Sequence, residues 1–257
     1  MKHLLKINLI VVLVLLLTAC GGAAPAAAPA AGGATGPGIE GADKYGERYD
    51  ASADVLKKAV GTTDGVTQIA QAAFYRAGLP VSQKMQDLAF KCYTDKICDT
   101  GTGGKLTVAL ADGFGENFWR QMTHMEFVLQ ALTYPEIGKI IYMTANSDTQ
   151  KSISDFKSLV AQKVDVIVFF PDAGEALLPA VREATSQGTI AITHSYGKIG
   201  EPGKDYPTFV AEDVCLLGKL FAETLNKEVG TGKVAFLGGT PGNALSAYWQ
   251  SCEEPVL

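Results

Sequence analysis

A chain of 257 residues with 47% apolar side chains and a net charge of −5 can form one large globular domain or two small ones. Its lysines and arginines are scattered and form no basic stripe, which argues against a nucleic-acid partner. Its three histidines, His3, His124 and His194, form no ligand-spaced cluster, so no metal site is expected.

In chain order, the first feature is a segment over 1–20. Lys2 and Lys6 come before the apolar run Leu9 to Leu17, and Thr18-Ala19 close it ahead of Cys20. Charged, apolar and small-residue zones in that order predict a secretory signal peptide. The run is too short to cross a bilayer core of about 30 Å. A cysteine at the cleavage point resembles a bacterial lipobox, in which Cys20 is acylated and becomes the mature N-terminus. The rest of the chain is then expected on the extracytoplasmic face of the membrane, lipid-anchored in the cell envelope. Residues 21–44 are rich in Ala, Gly and Pro and read as a disordered tether. A small helical region is expected over 45–100. Asp50 or Ser52 caps its first helix, Thr63 or Asp64 a second carrying Ile69, Ala73 and Phe74, and Ser82 a third with Met85, Leu88 and Ala89 on one face. Gly101-Thr102-Gly103-Gly104 reads as a linker.

From 105 onward short apolar runs alternate with amphipathic segments. Strands are expected at Leu106–Ala111, Lys139–Met143, Val164–Phe170, Thr189–Thr193, Thr208–Ala211 and Lys233–Gly238. Helices are expected over Asn117–Leu132, from Asp148 or Thr149, over Ala176–Gln187 and Val214–Val229, and from Ala244 onward. Continuous apolar strands separated by helices imply an α/β fold, a doubly wound parallel sheet covered on both faces. Ligands of such sheets sit at the carboxyl ends of the strands.

The loop Asp112-Gly113-Phe114-Gly115-Glu116-Asn117-Phe118-Trp119-Arg120 follows the first of these strands. Phe118 occupies the third glycine position of a dinucleotide fingerprint, which speaks against a nicotinamide cofactor; no cofactor is expected. Two large aromatics and a carboxylate beside a helix start suit a sugar instead. Aromatic faces pack on the apolar face of the ring, and Asp and Asn satisfy its hydroxyls. Asp172 follows the third strand, either capping the next helix or meeting the ligand. His194-Ser195-Tyr196 follows the fourth, but no carboxylate is placed by sequence to complete a triad. Glu212-Asp213 ends the fifth. The Gly238-to-Asn243 loop lacks the lysine of a phosphate-binding loop. With no nucleophile–base pair, catalysis is not expected.

Beyond Cys20 the remaining cysteines are Cys92, Cys98, Cys215 and Cys252, which outside the cytoplasm read as disulfides. Cys92 and Cys98 enclose a loop short enough to close locally, and Cys215 with Cys252 is the remaining pairing. A zinc site would need tighter spacing or histidine partners.

These motifs resemble those of type I periplasmic-binding-protein-like lipoproteins, the sugar-binding components of bacterial ABC importers. The marks are the strand–loop–aromatic–helix opening from Val108 to Gln121, Asn146-Ser147-Asp148-Thr149-Gln150 before a helix, Val164-Asp165-Val166-Ile167-Val168 with Pro171-Asp172, and Gly239-Thr240-Pro241-Gly242-Asn243. The resemblance implies two α/β lobes closing on a small ligand, a first lobe over 105–212 and the start of a second over 213–257. It implies ligand contacts at Asp112, Phe114, Glu116, Asn117, Trp119, Asp172, His194 and Ser195, a membrane permease as partner, and no enzymatic activity. A monomer is expected. Leu257 falls inside the helix after the sixth strand, so a truncated second lobe is expected. The alternatives are a ligand-sensing module for a signalling partner, a nucleoside-binding lipoprotein and, further off, an extracellular hydrolase.

Overall fold

The computed structural model describes residues 72–73, 75–115, 117–195, 199–239 and 244–257. The expected signal peptide with Cys20, the tether, the helix starts near residues 50 and 63, Glu116, Tyr196 and the loop 240–243 lie outside these residues. The chain divides into two compact units, one of residues 1–33 and 43–78 and one of residues 34–42 and 79–257. Of the first, the described part is a helical stretch ending where the Gly78 N–H donates to the Tyr75 carbonyl at 3.2 Å.

In the second unit the described strands are β1 (Ile97–Asp99), β2 (Leu106–Asp112), β3 (Ile137–Thr144), β4 (Val166–Phe169), β5 (Ile190–Ser195) and β6 (Thr208–Ala211). They form one sheet in the order β1-β3-β2-β4-β5-β6, parallel except for β1, which runs antiparallel on β3. The helices are α1 (Gln83–Asp95), α2 (Phe118–Ala131), α3 (Thr149–Ala161), α4 (Leu178–Ser186, after a 3-10 turn at Gly174–Leu177), α5 (Val214–Glu228) and α6 (Ala244–Glu253). Side chains at helix starts set several of these boundaries. Ser82, Asn117, Asp148 and Asp213 each accept an N–H three residues on, satisfying donors that an α-helix leaves open at its N-terminus.

Strand alternation sends neighbouring residues to opposite faces. Val108 and Ile140 point to a core shared with Met85, Ala89 and Cys92 of α1 and Val128 and Ala131 of α2. Ala109, Ile141, Ile167 and Phe169 point the other way, to Phe156, Leu159 and Val160 of α3 and Val181 and Ala184 of α4. The result is the doubly wound α/β sheet that the apolar runs predict.

Three parts differ from expectation. β1 is too short to show a period of its own; it follows the left-handed turn at Lys96, spanned by the Cys92–Cys98 disulfide, and pairs with β3. With α1 it belongs to the 79–257 unit, although both fall within the region expected to stand apart over 45–100. The Gly101–Gly104 linker is tied down, since the Thr100 and Thr102 hydroxyls both donate to the Ile137 carbonyl, at 2.7 and 2.8 Å. The strand expected at Lys233–Gly238 does not form. A strand needs a hydrogen-bonded neighbour, and this segment lies against α5 and α6, lining a cavity with Phe221, Leu225, Leu245 and Trp249.

α5 and α6 pack together and are joined by the Cys215–Cys252 disulfide, with the Cα atoms 5.2 Å apart. α5 buries Val214, Gly218 and Ala222 while Leu216, Leu217, Leu220, Phe221 and Leu225 remain exposed. Among the described residues, no helix is long and apolar enough to cross a membrane.

Candidate functional site

The parallel strands change their direction of progression across the sheet at β2, whose neighbours are β3 on one side and β4 on the other. Such a switch point opens a crevice at the strand ends. Here the crevice is closed at its base by charge. Arg120, in the first turn of α2, is 3% exposed, and its guanidinium is paired with two carboxylates. Nη1 donates to Asp112 Oδ1 at 3.1 Å, and Nη2 donates to Asp172 Oδ1 at 2.9 Å. Asp112 ends β2 and Asp172 follows β4, so one cation ties together the two strand ends that flank the switch point.

Glycines let these loops meet. A Cβ on Gly113 would come within 2.7 Å of the Asp172 Cβ, and Gly115, at φ +114, passes so close to Asn146 that a Cβ would stand 2.9 Å from its Oδ1. Only glycine suits both requirements.

Aromatic rings surround the cation. The Arg120 Cζ lies 3.6 Å from the centre of the Phe170 ring, 5.2 Å from Trp119 and 5.7 Å from Phe114. Trp119 meets Phe170 edge-on at 5.5 Å, and the Phe170 ring lies 4.7 Å from His194. A planar guanidinium stacked on a ring while held by two carboxylates has little freedom to reorient.

Above this base is a cavity of about 540 Å³, within the range of small-molecule sites. Its wall includes Phe114, Asn117, Trp119, Arg120, Asp172, Glu212, Ser246 and Trp249. Phe114, Asn117, Trp119 and Asp172 thus come together as the sequence predicts. Asn117 also caps α2, its Oδ1 accepting the Arg120 N–H at 2.9 Å, so its amide nitrogen is the group that can face a ligand. Asp172 does not cap the following helix, whose 3-10 start has no side-chain cap; it holds Arg120 instead.

The other expected contacts are placed differently. Asp112 is 2% exposed and sits behind Arg120, off the cavity wall. It accepts from the Phe114 N–H and the Tyr142 hydroxyl, each at 3.0 Å. His194 packs on Phe170 and does not line the cavity. Ser195 is buried at φ +78 and donates to Glu212 Oε1 at 3.3 Å. It is Glu212, one strand further on, that reaches the wall. Arg120, Glu212 and Trp249 line the wall although none of the three is among the expected ligand contacts.

Burial pushes the Asp112 carboxyl up from its ordinary range. Arg120, the Phe114 N–H and the Tyr142 hydroxyl pull it back, and Asp172 adds to the upward push. Burial pushes His194 down, with Glu212 opposing and Arg120 reinforcing the shift. Among the described residues, no group of three or more His, Cys, Asp or Glu side chains is arranged to hold a metal ion. A fixed cation, flanking carboxylates and exposed rings can bind a polar ring-shaped solute.

A family model described as a periplasmic binding protein domain matches residues 109–254. The chain belongs to that family. Members are solute-binding proteins of extracytoplasmic compartments rather than enzymes. The ribose import binding protein RbsB of Bacillus subtilis is 34% identical over 105 residues, covering 40% of this chain and 33% of that protein. The D-xylose-binding periplasmic protein of Escherichia coli is 24% identical over 120 residues, covering 47% of this chain and 36% of that protein. Among solved structures, the fructose binding periplasmic domain of a hybrid two component system aligns with a TM-score of 0.54 and 18% identity, over 59% of this chain and 49% of that one. A galactofuranose binding protein aligns at 0.51 and 23%, over 59% and 51%. At these identities the structural likeness shows the fold. The chain spans about a third of the length of the two named sequence relatives and about half of the two structures.

Proposed function

We propose that this protein captures a sugar or similar small polar solute outside the cytoplasm and presents it to the permease of an ABC importer. The observation that carries this reading is the Arg120 guanidinium fixed between Asp112 and Asp172 at the base of a cavity flanked by Trp119 and Phe114. Hydroxyls of a pyranose or furanose meet charged donors and acceptors there, and the exposed rings supply an apolar face. The names of the ribose and xylose relatives support a monosaccharide. Acylation at Cys20, behind the Ala/Gly/Pro-rich stretch, would hold the receptor close to its membrane partner.

Titration calorimetry of the full chain against D-ribose, D-xylose, D-fructose and a nucleoside panel tests the ligand class. Heat from a neutral sugar at micromolar concentration is the expected result; binding of nucleosides alone would replace the sugar reading. A sensing role would use the same cavity, and a fructose-binding domain of a two component system shares the fold. Loss of solute uptake after gene deletion supports transport, whereas intact uptake with an altered transcriptional response supports sensing. Cys20→Ser should release the protein from the membrane and abolish incorporation of a palmitate label.

A further inference from the structure

α1, Lys96 and β1 precede the matched family domain, which begins at residue 109. They form a hook closed by the Cys92–Cys98 disulfide, and both cysteines are buried. Lys96 ends α1 in the left-handed region at φ 62, and β1 then pairs Ile97 with Ile141 of β3. The next residue of β3 is Tyr142. Its N–H donates to the Lys96 carbonyl at 2.7 Å, and the Lys96 ammonium stands 5.6 Å from the centre of its ring. From the same hook, the Tyr93 ring lies 4.6 Å from His124, which stacks on Tyr142 at 3.6 Å with 12° between the planes. The hook therefore holds Tyr142 through its backbone, its ring and the ring stacked on it. Packing with Leu110 and Phe170 needs only the ring. The hydroxyl is the surplus, and it donates to Asp112 Oδ2 at 3.0 Å, while Oδ1 of that carboxylate receives Arg120.

We propose that Tyr142 is a positioning residue for the Arg120 guanidinium, acting through Asp112, and that the disulfide-closed hook fixes Tyr142. A segment outside the family domain is thereby part of the binding machinery. This rests on the cavity being the ligand site, so the deciding measurement uses no ligand. The charged and titratable groups that act on Asp112 are Arg120 on α2, Tyr142 on β3 and Asp172 after β4; behind them His124 and Lys96 face the Tyr142 ring, and Tyr93 faces His124.

The Asp112 carboxyl is titrated by carbon-13 NMR in four full-length proteins: unaltered, Y142F, C92A/C98A and the combination. Y142F removes a hydrogen bond to the carboxylate, and its midpoint should rise by about one pH unit. The cysteine change should move the midpoint when Tyr142 is present and leave it unmoved in the Y142F background, because effects through a shared partner do not add. Should C92A/C98A fail to fold, Tyr93→Leu, which removes the ring against His124, carries the same comparison. An unchanged midpoint in Y142F, or equal shifts from the hook change in both backgrounds, overturns the proposal. Calorimetry with D-ribose should show affinity falling about tenfold in Y142F and no further in the combination. If D-ribose does not bind the unaltered protein, the ribose reading fails and the Asp112 midpoints still decide the proposal.

Discussion

Replacing Arg120 with methionine keeps a long apolar stem but removes the charge that Asp112 and Asp172 share. The side chains involved are 3%, 1% and 9% exposed, so water cannot take over the lost interactions. At contacts of 3.1 and 2.9 Å each pair carries about 5 kcal/mol of Coulomb attraction at an effective dielectric near 20. Desolvation offsets much of this in the intact protein, but deleting one partner leaves buried charge uncompensated, at a cost of about 3–5 kcal/mol. Against a typical stability of about 5–15 kcal/mol, that is a large share. The loss has a pH signature. Asp112, already pushed up by burial and by Asp172, should rise further without Arg120. The native state then binds more protons than the unfolded state above the unfolded carboxylate pKa of about 3.9. The variant's deficit should be greatest at neutral pH and shrink as the pH falls toward that value. Urea unfolding of both proteins from pH 4 to 8 measures it. A loss below about 1 kcal/mol at pH 7, with a pH slope matching the unaltered protein, would refute the account of Arg120 as the tie across the switch point.

Trp119→Ala removes an exposed ring from the cavity wall and should weaken sugar binding about tenfold with little change in melting temperature, read by calorimetry and thermal unfolding. Gly113→Ala forces a Cβ against Asp172 and should destabilise by about 1–3 kcal/mol, measured by urea unfolding, with binding weakened in parallel. His194 is held below its ordinary value of 6.5 by burial, so its contribution to stability is complete above that pH and lost as the pH falls toward the lower folded value. His194→Gln should flatten the melting-temperature profile on the acid side of 6.5. The Cys215–Cys252 bridge spans 37 residues and Cys92–Cys98 spans 6. Loop entropy gives about 4 and about 2 kcal/mol respectively, so C215A/C252A should lower the urea midpoint more than C92A/C98A.

What could be seen from the sequence was what depends on near neighbours. Ser82, Asn117 and Asp148 cap helices through N–H groups three residues away, and the apolar runs at 106–111 and 166–169 needed only their own composition to read as buried strands. Arg120 was hidden because its partners lie 8 and 52 residues away, and nothing near position 120 marks it as buried. The same distance effect explains Asp172, whose position after a strand and before a helix left a cap and a ligand contact both open and gave no sign of its bond to Arg120 on α2. Lys233–Gly238 misled in the opposite direction. Its pattern is that of a buried strand, but a pattern supplies only half of a ladder, and no described strand lies beside it. Ser195 was expected to meet a ligand, but it is buried off the cavity wall and bonded to Glu212, which comes within reach only when β5 and β6 pair.

The tie between Asp112, Arg120 and Asp172 also acts as a check on strand register. β4 pairs with β2 through Ala111 opposite Phe169, and three residues later Asp172 meets a cation fixed to the end of β2. A slip of one residue would send every β4 side chain to the opposite face of the sheet, carrying Phe170 off the guanidinium and Asp172 out of reach. Arg120 and Asp112 would then be left buried as an incomplete set. A misregistered sheet would therefore leave the guanidinium without its second carboxylate and its stacked ring, and would lack a formed cavity base, so an intact cavity base is itself a report that the central strands have aligned.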